Sequence, residues 1–170
     1  MMMARLVMMM IVVCAMGVQA WAAPLVEIAI DPRLKDQGPF SGRLVVSLLS
    51  ADSALYRENS ALDAPFFRQP QPMFGTDVQG LEAGTTVELT DEWTWFPELP
   101  SELNPGFYRV AAWLDRSRAD SDWKREAGNL YSREFTLRIE PDGNVPTLVV
   151  VLSETVDEPE MPERDGVRVV

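Results

Sequence analysis

The chain has no histidine and one cysteine, Cys14, in 170 residues. It is also short of positive charge, with 15 Lys and Arg against 26 Asp and Glu, a net charge of −11. Each shortage excludes a class of chemistry. Without histidine there is no Ser-His-Asp triad, no Cys-His pair and no imidazole metal site. A lone cysteine cannot close an intrachain disulfide. No Gly-x-Ser-x-Gly elbow occurs, so the strand-to-helix nucleophile of α/β-hydrolases is missing as well. Catalysis by this chain would rest on carboxylates, Tyr, Lys and Ser. A strongly acidic surface repels phosphate backbones, so nucleic acid is not an expected partner. Internal repeats and long amphipathic helix patterns are also absent. What is present is ordinary for a folded domain: 46% hydrophobic and 9% aromatic residues, too apolar for a disordered chain.

Met1–Ala22 has the anatomy of a secretory signal peptide. Arg5 supplies a short positive region, Leu6–Val18 is apolar, and Ala20-Trp21-Ala22 is a small-x-small cleavage site. Gln19 interrupts the apolar run before it reaches the ~18–20 residues of a membrane span. The bulky Val13 before Cys14 argues against a lipoprotein signal. The expectation is therefore an exported protein, periplasmic, extracellular or at the cell surface, with no membrane span after cleavage. Most of the nine methionines fall in this leader, so they say nothing about a Met-rich binding surface.

The mature chain reads as strands and turns. Leu25–Asp31 alternates, with Val26, Ile28 and Ile30 in one apolar series. Gly42–Ser50 is apolar on both faces, Leu44, Val46 and Leu48 on one and Val45 and Leu49 on the other. In Ala51–Pro72, prolines 65, 70 and 72 exclude a central strand. This segment is expected to fold over an open end of a sandwich or to expose Phe66-Phe67 as a contact. Met73–Val78 and Thr85–Thr90 are short strands. Asn104-Pro105-Gly106 is a turn that leads into Phe107–Asp115, where Tyr108, Val110, Ala112 and Leu114 face one way and Phe107, Arg109, Ala111 and Trp113 the other. Leu130–Glu140 alternates throughout, Pro141–Asn144 is a hairpin turn, and Pro146–Ser153 pairs back antiparallel. About seven such strands predict an all-β fold, a two-sheet antiparallel β-sandwich over residues 23–153. Residues 154–170 form an acidic, Pro-containing linker with a strand-like end, Val167–Val170, which reads as an added edge strand or the start of a further domain.

The candidate ligand-binding residues are aromatic: Trp93, Trp95 and Phe96 in the segment Asp91–Pro100, with Trp123 in the polar loop Arg116–Asn129. Asp91, Glu92, Glu98 and Glu102 lie close by in sequence. Aromatics at alternating positions either plug the sandwich or form a platform for sugar rings, with carboxylates bonding hydroxyls. No catalytic residue, metal ligand or cofactor is expected. Glu98 and Glu102 sit beside Pro97 and Pro100 without the cleft a glycosidase needs. Asp115, Asp120 and Asp122 lack EF-hand spacing and are crowded by Arg116, Arg118, Lys124 and Arg125.

Four stretches, Phe40–Ser50, Met73–Leu89, Leu103–Asp115 and Ala127–Leu137, together resemble the N-terminal Ig-like domain of certain exported bacterial esterases. In those proteins it precedes an α/β-hydrolase domain. The resemblance runs from about Leu25 to Pro162, and the Leu-x-Pro-Gly-x-Tyr stretch (Leu103–Tyr108) also resembles transthyretin-like sandwich domains. It implies an Ig-like or transthyretin-like sandwich and a non-catalytic accessory role, positioning a substrate or a partner hydrolase domain. The family's nucleophile and triad match no position here, so none is carried over. The alternative is a stand-alone carbohydrate-binding protein of the periplasm or cell surface.

Overall fold

The computed structural model describes residues 25–118, 121–141 and 147–158. The expected signal peptide, Asp120, the centre of the predicted hairpin turn, most of the linker and Val167–Val170 lie outside the described residues. Strand β6 (Gly106–Asp115) sits at the centre. Its residues from Val110 to Leu114 are all buried because both faces are covered, as expected where a strand's two residue series are both apolar. On one side β6 pairs antiparallel with β2 (Phe40–Ser50), from Arg43↔Asp115 to Ser50↔Tyr108. β2 pairs in turn with β3 (Met73–Leu81), and β3 with the edge strand β5 (Thr94–Phe96).

The other side of β6 is shared. β7 (Leu130–Ser132) pairs with its C-terminal half, and β8 (Phe135–Ile139) with its N-terminal half. β7 also pairs antiparallel with β9 (Leu148–Thr155). β9 runs parallel to β1 (Val26–Ile30), and β1 ends the sheet with β4 (Thr86–Glu88). The order is β4-β1-β9-β7-β6-β2-β3-β5, with β8 beside β6.

The all-β expectation therefore holds, but two of its details are corrected. The strands form one curled sheet rather than two separate sheets, because β7 is bonded to both β6 and β9 and stitches the halves together. The sheet is mixed rather than antiparallel, because β1 and β9 run in the same direction. Alternation in β1 (buried Val26, Ile28 and Ile30) reports which face is buried and is silent on partner direction.

The predicted single strand Leu130–Glu140 is also broken. Leu130 and Ser132 are buried before the break, and Leu137 and Ile139 after it. The buried series thus changes phase at Arg133-Glu134, as an inserted residue requires. Glu134 turns outward there and accepts hydrogen bonds from Ala61 N (2.5 Å) and Ser60 Oγ (3.0 Å). Buried Ser132 accepts from Ala112 N at 2.9 Å, filling the gap that the break leaves on β6.

Curling brings the inner faces of the two halves together. Val26, Ile28, Val150 and Leu152 from one half share a core with Leu44, Val46, Val110 and Leu114 from the other. The bend is tight where β2 begins. Gly42 has φ +151, and a Cβ there would stand 2.2 Å from the Asp115 carbonyl oxygen, so only glycine fits.

The segment after β2 was expected over an open end or as an exposed contact. Instead it covers the outer face of β2 and β6. A 3-10 turn, Ala61–Phe66, seats Ala61 against Leu49 and Ala111, with Leu55, Tyr56, Leu62 and Phe67 packed around them. Buried Ser47 donates to the Ala61 carbonyl at 2.6 Å. Arg109 donates to the Asn59 carbonyl at 2.8 Å and lies over the Tyr56 ring. Phe66 stays half exposed.

Candidate aromatic groove on the outer sheet face

Residues opposite one another on paired strands share a face, so the register orders the outer surface into rows. One row runs Tyr131, Trp113, Val45, Gly75, Thr94 across five strands. The next runs Ala111, Ser47, Met73, Phe96. The segment Ala61–Phe66 covers the start of these rows and leaves the part toward β5 open. The result is a shallow groove of about 270 Å³, lined by Arg43, Val45, Pro65, Met73, Phe74, Gly75, Thr94, Trp95, Phe96 and Trp113. All but Arg43 and Thr94 are apolar.

Gly75 creates the depression. Its missing side chain leaves room for the Arg43 guanidinium, which would lie 2.9 Å from a Cβ built there. Arg43 donates to Asp77 at 3.3 Å, and Arg118 bonds the same carboxylate. Partial desolvation pulls the Asp77 carboxyl upward, but the Arg43 hydrogen bond and the charges of Arg118 and Arg43 outweigh it. The carboxyl is held below its ordinary value.

The four aromatic residues singled out from the sequence are dispersed. Trp93 is 6% exposed and belongs to the inner core. Trp95 and Phe96 come together on β5, 46% and 54% exposed, and rim the groove. Phe96 shares the outer face with Met73. Trp95 stands opposite Phe74 and so extends the inner row Ala112, Val46, Phe74 past the edge of the core. Trp123 lies at the far end of the outer row, in the 3-10 turn Trp123–Arg125. It is buried, stacked on Trp113 (ring centroids 5.2 Å apart, planes 12°) and tilted against Tyr131. Its indole Nε1 is buried and has no hydrogen-bond partner among the described residues.

A second cavity, of about 360 Å³, opens beside this stack. It is lined by Leu62, Trp123, Lys124, Tyr131, Thr155, Val156 and Asp157. Lys124 pairs with Asp63 and lies over the Phe66 and Trp123 rings. Trp113 connects the two places: it lines the groove and stacks on Trp123. The sequence placed Trp113 on the second face of β6, which was the available sign of its position. Nothing in the sequence marked Arg43, Met73, Gly75 or Pro65, because their meeting depends on register.

The carboxylates near β5 have local duties. Asp91 accepts from Ser101 N (3.1 Å) and Ser101 Oγ (2.6 Å), and Glu102 accepts from Leu99 N (3.3 Å). Asp115 accepts from Arg118 N, and Asp122 from Lys124 N. Among the described residues no group of three or more Asp, Glu, Cys or His converges as a metal site would require, and no helix is long and apolar enough to cross a membrane. Compared with protein-family models, with characterised proteins and with solved structures, the chain matches none.

Proposed function

We propose that this chain is a non-catalytic, exported accessory module that docks a partner polypeptide, such as an α/β-hydrolase domain, along the groove and the edge strand β5. The observation that carries this reading is the exposure of both Trp95 and Phe96 beside an open apolar groove. Large aromatics left half exposed at the rim of an apolar depression are the composition of a recognition surface. The lining suits a polypeptide better than a sugar, whose hydroxyls each need a polar partner that Arg43 and Thr94 alone do not supply.

Kinship to Ig-like or transthyretin-like domains is part of the same proposal. Its support is Tyr108 at the start of β6, whose hydroxyl donates to the Asn104 carbonyl at 2.8 Å. A tyrosine closing onto the backbone a few residues upstream is a corner used by Ig sandwiches. Burial, then the charges of Glu98 and Asp52, raise this hydroxyl above its usual value.

The second reading, carbohydrate binding, is favoured by the cavity beside Tyr131, where Lys124, Thr155 and Asp157 offer polar groups around an aromatic wall. Calorimetric titration of the whole chain with oligosaccharides and with short extended peptides separates the two. Docking predicts heat from peptides, abolished in a Trp95→Ala, Phe96→Ala variant. Heat from oligosaccharides alone, unchanged in that variant, would replace docking with the second reading.

A further inference from the structure

The polypeptide that β5 receives can be described more closely, if β5 is the docking edge proposed above. We infer that it is an extended, positively charged segment of another protein, added to β5 as a further strand. The first ground is the edge itself. Among the described residues β5 pairs only with β3 and ends the sheet. Natural edge strands are usually blunted by short length, charge, proline or a cover; β5 is short and Pro97 follows it directly. Thr94-Trp95-Phe96 has no charge of its own, all three residues are exposed, and the groove lies on one face of it. Adding a strand to such an edge gives affinity through main-chain hydrogen bonds and specificity through side chains that alternate into the groove.

The second ground selects the occupant. From Gln69 to Tyr108 the chain has no Lys or Arg, and every charged residue is acidic. Glu92 lies two residues before β5, and Glu98 two residues after it. At ~3.3 Å per residue, both are within about one screening length of the strand at physiological salt. Asp91 and Glu102 add to the same field, since their partners, Ser101 and the Leu99 amide, are neutral. None of these four forms a salt bridge among the described residues. Arg43, the cation lining the groove, is already bonded to Asp77. A second copy of this chain would bring the same acidic flanks to the same edge and be repelled. A segment carrying Lys or Arg beside its apolar residues is attracted instead.

The test is selection of short random peptides displayed on phage against the immobilised whole chain, followed by titration of the selected sequences as synthetic peptides. The expected winners alternate apolar residues and carry net positive charge. Their affinity falls about tenfold between low and physiological salt and falls similarly in a Glu92→Gln, Glu98→Gln variant. N-methylation of alternate amides abolishes binding in one phase and spares it in the other, because only one series of amides faces β5. Selected peptides with no charge preference, or with acidic charge, would overturn the inference while the docking reading stands. So would equal tolerance of N-methylation in both phases. Selection of nothing, or binding that survives Trp95→Ala with Phe96→Ala, would remove the docking edge itself. Concentration-dependent dimers lost in that variant would overturn the inference in favour of a second copy.

Discussion

Among the described residues the sheet ends in two three-residue edges that are opposites in chemistry. At one end β4 presents Thr86, Val87 and Glu88. Val87 is partly buried, and Glu88 stands directly across from Glu27. Two like charges side by side oppose any added strand. At the other end β5 presents Thr94, Trp95 and Phe96, all exposed. The two strands have the same length and lie at corresponding places in one sheet, yet one is closed by charge and the other offers aromatic surface. The difference shows that aromatic surface at β5 does not follow from its being an edge, since the residues exposed on β4 are Thr86 and Glu88.

Mutations sharpen this contrast. The largest effect is expected beneath β5. Phe74 is 1% exposed and joins the core directly behind Trp95. Phe74→Ala should cost about 3–5 kcal/mol in urea unfolding, while Val87→Ala at the opposite edge should cost about 1 kcal/mol or less. At the seam between the halves, Ser132→Ala leaves the buried Ala112 amide without its acceptor. A loss of about 1–3 kcal/mol is expected, with faster hydrogen exchange at Ala112.

A Trp95→Thr, Phe96→Thr double variant gives β5 a polar character closer to that of β4. Stability should move by no more than about 0.5 kcal/mol, while peptide binding disappears. A large loss of stability would show that the aromatics serve folding rather than docking. The smallest effect is at the rim of the groove. The folded Asp77 carboxyl titrates below its unfolded value, so its contribution is complete above about pH 4. It is lost as acidification carries the group through its lower folded value. Asp77→Asn should flatten that part of the acid-unfolding profile and free Arg43 to leave the groove, without changing neutral-pH secondary structure.

Much of the fold was legible from alternation. The two faces of β6 and of β2 were assigned residue by residue, because apolar series of period two directly report burial. Strand direction and sheet closure were not legible. β1 looks the same whether its neighbour runs parallel or antiparallel, and β7 and β8 read as one strand because Tyr131, Arg133 and Phe135 continue an alternation that the backbone interrupts. The groove was half legible. Trp95 and Phe96 drew notice as aromatics, but Trp93 has the same composition and lies in the core. Arg43 and Gly75 acquire their roles only through the register that sets one over the other.

The parallel pairing of β1 with β9 has a consequence for how the molecule is made. Val26–Ile30 finds its main neighbour only in Leu148–Thr155, so the earliest described strand must wait for the latest to leave the ribosome. Contacts that span nearly a whole chain form slowly. The β1 side of the sheet therefore stays incomplete until Leu148–Thr155 has been made. Shortening the chain ahead of Leu148 would leave Val26, Ile28 and Ile30 on a strand held by the three-residue β4 alone among the described pairings.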